Sequence, residues 1–143
     1  MRTLIIALVA LCLVAAPAAQ ASDASLRRVV EKQGAKFDRA VERYDRAVGV
    51  IETEEDLQDA KRETKRLARA TGKFRTAVKA ERAGTTKLKR ARTKLLDALA
   101  TYERGLDKLV RGIEQDSGAT INSAKRILRR SGEKFEAAAT AFG

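Results

Sequence analysis

The chain contains no histidine and no tryptophan, one cysteine and one proline in 143 residues, and its six aromatic side chains are four Phe and two Tyr. Each scarcity removes a class of chemistry. Without imidazole, and with Cys12 as the one thiol, the usual zinc, copper and haem ligand sets and the nucleophile-base pairs built on His or Cys cannot be assembled. A carboxylate-bridged di-metal centre needs Glu-x-x-His pairs, and these are missing. No cofactor fingerprint takes their place, so the sequence predicts no catalytic, cofactor-binding or metal-binding residue and no enzyme.

Two short matches to catalytic or phosphate-binding patterns fail on context. Ser131-Gly132-Glu133-Lys134 has the Ser-x-x-Lys spacing of penicillin-binding enzymes, but the companion motifs are absent and Ser131 falls on the core side of a helix. Thr71-Gly72-Lys73 lacks the first glycine of a phosphate-binding loop and is continuous with helix. Acid pairs such as Glu54 and Glu55 read as charges at a helix start.

Long apolar runs are also scarce. The longest, Leu4 to Ala16, follows a basic Arg2 and precedes Ala19-Gln20-Ala21, a small-x-small motif. This is the pattern of a secretory signal peptide over residues 1–21, with cleavage expected after Ala21. The run falls short of the ~20 residues that a membrane span needs, and no stop-transfer pattern follows it. Cys12 follows Leu11, where a lipidation box would place a small residue, so no lipid anchor is expected. The mature chain, Ser22 to Gly143, then has a one-domain length and no cysteine, and no disulfide stabilises it in an oxidising compartment.

Helix formers and charge make up what remains. The mature chain has no proline, and its Ala, Lys, Arg, Glu and Asp favour or tolerate helix. Apolar or small residues recur in steps of three and four along four stretches: Val30, Gly34, Phe37, Val41, Tyr44, Val48 and Ile51; Leu57, Ala60, Thr64, Leu67, Thr71, Phe74 and Val78; Leu88 through Ile113, with Ala91 covering a break at Arg92; and Ile121 through Phe142. The spacing predicts helices near 23–51, 54–82, 86–115 and 119–141. Thr53 followed by three acids is an N-cap signal. Gly84 reads as a C-cap glycine before a second N-cap, and Asp116-Ser117-Gly118 as a break. Similar lengths and short connections favour an all-α, antiparallel up-down four-helix bundle. The sustained spacing also admits coiled-coil-like hairpins that self-associate. The second helix offers four large apolar groups against nine in the third, so it is expected to be the most weakly held.

Gly34, Gly72 and Gly132 each precede a Phe by two or three residues, a faint internal echo in which the glycine could admit a neighbouring helix.

Charge is unevenly spread. From Lys61 to Lys94 there are fourteen Lys or Arg against two acids, while the rest of the mature chain has fifteen basic against seventeen acidic residues. In antiparallel helices, Lys73, Arg75, Lys79 and Arg82 would meet Lys87, Lys89, Arg90, Arg92 and Lys94 around the Gly84 turn. Glu52, Glu54, Glu55, Asp56 and Asp59 would gather with Glu114 and Asp116 at the opposite end. Cations opening a helix oppose its dipole, at ~0.3–1 kcal/mol each. A cluster that disfavours its own fold is a candidate anion-binding tip; the plain alternative is a solvated face.

The partner expected from this charge is an anionic envelope component, lipid head groups or an acidic polymer, met after export to the periplasm, cell wall or exterior. Sequence-specific nucleic acid is not expected, because all six aromatics fall at core spacing and no base-reading module is present. A second reading is a helical interaction or chaperone-like module that holds a protein partner, or a second copy, with its apolar stripes.

Overall fold

A computed structural model describes residues 18–49 and 51–143. The leader expected over residues 1–21 lies outside the described residues as far as residue 17, and helix continues unbroken through the Ala21-Ser22 junction. Among the described residues there are four helices and no strand: α1 (Ala18–Val48), α2 (Glu54–Ala80), α3 (Thr86–Glu114) and α4 (Gly118–Phe142). None of them is long and apolar enough to cross a membrane.

Local chemistry sets the helix limits. Thr53 caps α2: its hydroxyl accepts from the Asp56 N–H, and the Asp56 carboxylate accepts from the Thr53 N–H at 2.9 Å and the Glu52 N–H at 3.1 Å. That box ties residues 52 and 53 to α2, which is why α1 ends at Val48 instead of reaching Ile51. Ile51 is 47% exposed and does not join the core. Thr85 caps α3 and Ser117 caps α4, each accepting from the N–H three residues on. Asp116 takes a positive φ of 46° between α3 and α4.

Gly84 departs from its expected role. α2 is capped by Glu81, and no described glycine has a positive φ. A side chain at Gly84 would instead overlap the Ala19 backbone of α1. The constraint at this glycine is a close approach to a residue of the expected leader, not a left-handed turn.

The chain alternates in direction. Ser25 near the start of α1 donates to Glu81 after α2, and Lys87 near the start of α3 donates to the Gly143 carbonyl after α4. At the other end, Lys61 and Lys65 of α2 reach Glu114 of α3 at 3.2 and 3.0 Å. All four helices meet in the middle, where Phe37 of α1 packs against Phe74 of α2, Tyr102 of α3 and Phe135 of α4, with ring centroids 5.5–6.1 Å apart. Burial pushes the phenols of Tyr44 and Tyr102 up from their ordinary values.

The α3–α4 pair is the most extensively packed. A Cβ on Gly105 would stand 2.6 Å from Leu128, and one on Gly112 2.8 Å from Ile121. Seven residues forward on α3 are matched by seven backward on α4, which fixes an antiparallel register. Small buried residues recur at that interval on both helices: Ala91, Ala98, Gly105 and Gly112 on α3, and Ala124, Ser131 and Ala138 on α4. Continued at the same register, each small residue faces a large one on the other helix, Ala98 opposite Phe135 and Ser131 opposite Tyr102. The axes can therefore approach closely without voids. Two glycines of the Gly-Phe echo do not serve this purpose: Gly132 has nothing within 4 Å of its Cβ position, and Gly72 faces only the flexible end of Glu103.

Candidate functional site

The turn joining α2 to α3, the first turns of α1 and the end of α4 form one end of the molecule. Eight of the nine cations proposed from the sequence lie on α2 and α3 and the ninth, Arg82, in the turn between them, yet they are not equivalent. Arg75 pairs with Glu103 of α3, Nε to carboxylate oxygen at 3.2 Å. Arg92 turns back onto α2, donating from Nε to the Val78 carbonyl at 3.1 Å and from a terminal nitrogen to the Lys79 carbonyl at 2.8 Å. These are unsatisfied carbonyls of a helix C-terminus, so Arg92 acts as a cap delivered from the next helix. Lys87 is held by the Gly143 carbonyl at 3.0 Å.

The other six, Lys73, Lys79, Arg82, Lys89, Arg90 and Lys94, are exposed. None has a carboxylate within 4 Å among the described residues. Of the fourteen basic residues in the Lys61–Lys94 segment, those at its start are spent differently: Arg62 bonds Asp59, Arg66 bonds Glu63, and Lys61 and Lys65 share Glu114. The two lysines hold the Glu114 carboxyl below its ordinary value.

The end also contains acids. Asp23, only 8% exposed, directs its carboxylate at the α2–α3 turn and accepts from the Gly84 N–H at 2.6 Å and the Thr85 N–H at 3.3 Å. Those backbone donors stand at the N-terminus of α3, where an anion is favoured. The chain's own carboxylate fills the position, and it offsets part of the penalty that Lys87, Lys89 and Arg90 impose there. An external anion would meet the side-chain cations alone. Asp23 was not legible beforehand, because an acid in an early turn of a helix reads as ordinary dipole chemistry and the contact spans 61 residues.

The pair picked out by the Ser-x-x-Lys match is not coupled. Ser131 donates to the Leu128 carbonyl at 2.6 Å, while Lys134 reaches Asp97 at 2.7 Å and Thr101 at 3.0 Å. The buried hydroxyls of Thr64 and Thr71 are likewise satisfied by the carbonyls four residues before them.

Comparison of the chain with protein-family models, with curated proteins and with solved structures gives no match.

Proposed function

We propose that this chain is an exported, non-catalytic helical protein whose α2–α3 end associates electrostatically with an anionic component of the cell envelope. The observation that carries the reading is the set of exposed cations at and beside the Gly84 turn that have no carboxylate within 4 Å among the described residues, Lys79, Arg82, Lys89, Arg90 and Lys94, with Lys73 further along α2 near mid-molecule. Arg92 and Lys87 support the fold at that end and Arg75 near mid-molecule, and the three take a lesser part. Like charges gathered at one end repel, and those that open α3 are retained at a cost to that helix. Attachment without insertion agrees with the apolar groups being committed to the core, Ile51 being the large hydrophobic side chain left exposed among the described residues. The same fact leaves the alternative, capture of a protein partner on apolar stripes, with little surface to work with.

Co-sedimentation of the purified protein with envelope fragments, at low and high salt, tests the reading. The comparison is a variant with Lys79, Arg82, Lys89, Arg90 and Lys94 changed to Gln. Arg92 stays, so that the α2 cap is intact. Binding that is lost both in high salt and in the variant supports an electrostatic anchor. Binding that persists in both would sink it and turn attention to apolar contacts.

A further inference from the structure

A second cationic surface lies on the outer face of α4. Lys125, Arg126, Arg129 and Arg130 fall within six consecutive positions, all four are exposed, and α4 has no acid before Glu133. None of the four has a carboxylate within 4 Å or donates a side-chain hydrogen bond among the described residues, unlike the cations at the start of α2 and at Lys134. They also stand as two like-charge pairs four residues apart, Lys125 with Arg129 and Arg126 with Arg130, an arrangement that weakens a helix by a few tenths of a kcal/mol per pair. Neither internal pairing nor helix stability accounts for them.

Geometry narrows the ligand. At 3.6 residues per turn, the four side chains spread over roughly 140° of arc around α4 and about 8 Å along its axis. That is a convex face. A flat lipid surface would touch only the middle of the arc, whereas a flexible chain can follow it. Three of the four are arginine, whose planar fork bonds two oxyanion oxygens at once. The described aromatics lie buried or half-buried in the core and leave no platform for stacking bases, which disfavours single-stranded nucleic acid. A polymer carrying its charge on the backbone itself, with no side-chain spacer to immobilise, loses least entropy on such a face.

We propose that the α4 outer face, through Lys125, Arg126, Arg129 and Arg130, binds a linear phosphate polymer of the inorganic polyphosphate type. This site is separate from the α2–α3 end, roughly 20 Å further along α4 at 1.5 Å per residue, and the inference does not rest on that end binding anything.

The test is titration of fluorescently labelled polyphosphate, about ten phosphates long, with the protein at several salt concentrations. Three proteins are compared: the parent, the variant with the four α4 cations changed to Gln, and the five-Gln variant of the α2–α3 end. Far-UV circular dichroism establishes that each is folded. A charge-retaining form, with Arg126, Arg129 and Arg130 changed to Lys, guards against an indirect effect. The α4 variant is expected to lose at least tenfold in affinity and to lower the slope of log affinity on log salt by roughly three, by analogy with about 0.7–0.9 per phosphate contact in nucleic acids. The Lys form should retain most of the salt slope. An α4 variant that binds like the parent overturns the inference. If only the five-Gln variant loses binding, the α4 site is wrong and the α2–α3 reading stands; if only the α4 variant loses it, the reverse holds for this polymer. Polyglutamate of equal charge bound as tightly as polyphosphate, or anionic phospholipid vesicles bound through the α4 residues, would overturn the assignment of the ligand.

Discussion

At the scale of single residues, the glycines show how little a residue type says about its role. Gly105 and Gly112 sit where a side chain would strike α4, but the obstacles differ. At Gly105 they are side-chain atoms of Leu128 and Ile127, which can shift; at Gly112 they include the Ile121 backbone nitrogen, 2.9 Å from the Cβ position. Gly132 lies in mid-helix beside open space. Gly132→Ala should therefore stabilise the protein by about 0.5–1 kcal/mol, the usual gain of alanine over glycine in a helix. Gly112→Ala should destabilise it by about 1–3 kcal/mol, because overpacking against backbone outweighs that gain. Urea denaturation of the two variants beside the parent checks both signs; a lowered midpoint for Gly132→Ala would show that something covers that position in solution.

At the scale of elements, helix α2 depends on its cap. Three hydrogen bonds hold the Asp56 carboxyl below its ordinary value of 3.8, the Thr53 hydroxyl contributing most. A group whose value is lowered by folding stabilises the fold fully when both states are ionised, and that contribution disappears as pH falls through the ordinary value to the folded one. Stability should thus decline from neutral pH through the ordinary Asp range, and Asp56→Asn should make that decline shallower. Glu114 acts in the same direction through Lys61 and Lys65. Thr53→Ala should cost about 1 kcal/mol, as N-cap hydroxyls commonly do. Urea midpoints between pH 7 and pH 3 test the slope, and an unchanged slope in Asp56→Asn would place the acid sensitivity elsewhere. The two connections contrast: the α1–α2 connection is set by contacts among residues 52 to 56, whereas the α2–α3 turn is held by Asp23 from a different helix.

For the whole molecule, the aromatic cluster decides whether the helices melt together. Phe37 is the ring that touches a partner on each of the other three helices. Phe37→Ala should cost about 3–5 kcal/mol, a large part of the 5–15 kcal/mol that small domains have. Because every helix loses a contact, far-UV circular dichroism and Tyr fluorescence should follow one transition, shifted to lower temperature. Separate transitions would mean that the α3–α4 pair, with its small-residue seam, persists after α1 and α2 have melted. The charge distribution is a property of the same scale. Alternating helix direction gathers the unpaired cations of α2 and α3 at one end while Lys61 and Lys65 are neutralised by Glu114 at the other, so the Lys61–Lys94 run is divided between two uses.

Four helices, their limits to within a few residues and most of their buried faces were legible in the order of amino acids, because helix propensity, caps and three-four spacing act over one or two turns. Thr53, Thr85 and Ser117 cap where such residues should. The errors share one cause. Ile51 apart, which the local box of Thr53 and Asp56 decides, the role of Gly84, the supposed close approach at Gly132, the capping by Arg92 and the carboxylate of Asp23 all depend on what another part of the chain brings within a few ångströms. Even the cations of α4, present as Lys125-Arg126-Ile127-Leu128-Arg129-Arg130, are hidden in the charge balance outside Lys61–Lys94, where fifteen basic residues of the mature chain stand against seventeen acids. By itself the sequence determined which segments are helical and which faces are apolar; only the tertiary structure decided which charges are neutralised and which face outward unpaired, since a Coulomb partner is set by distance in space and not along the chain.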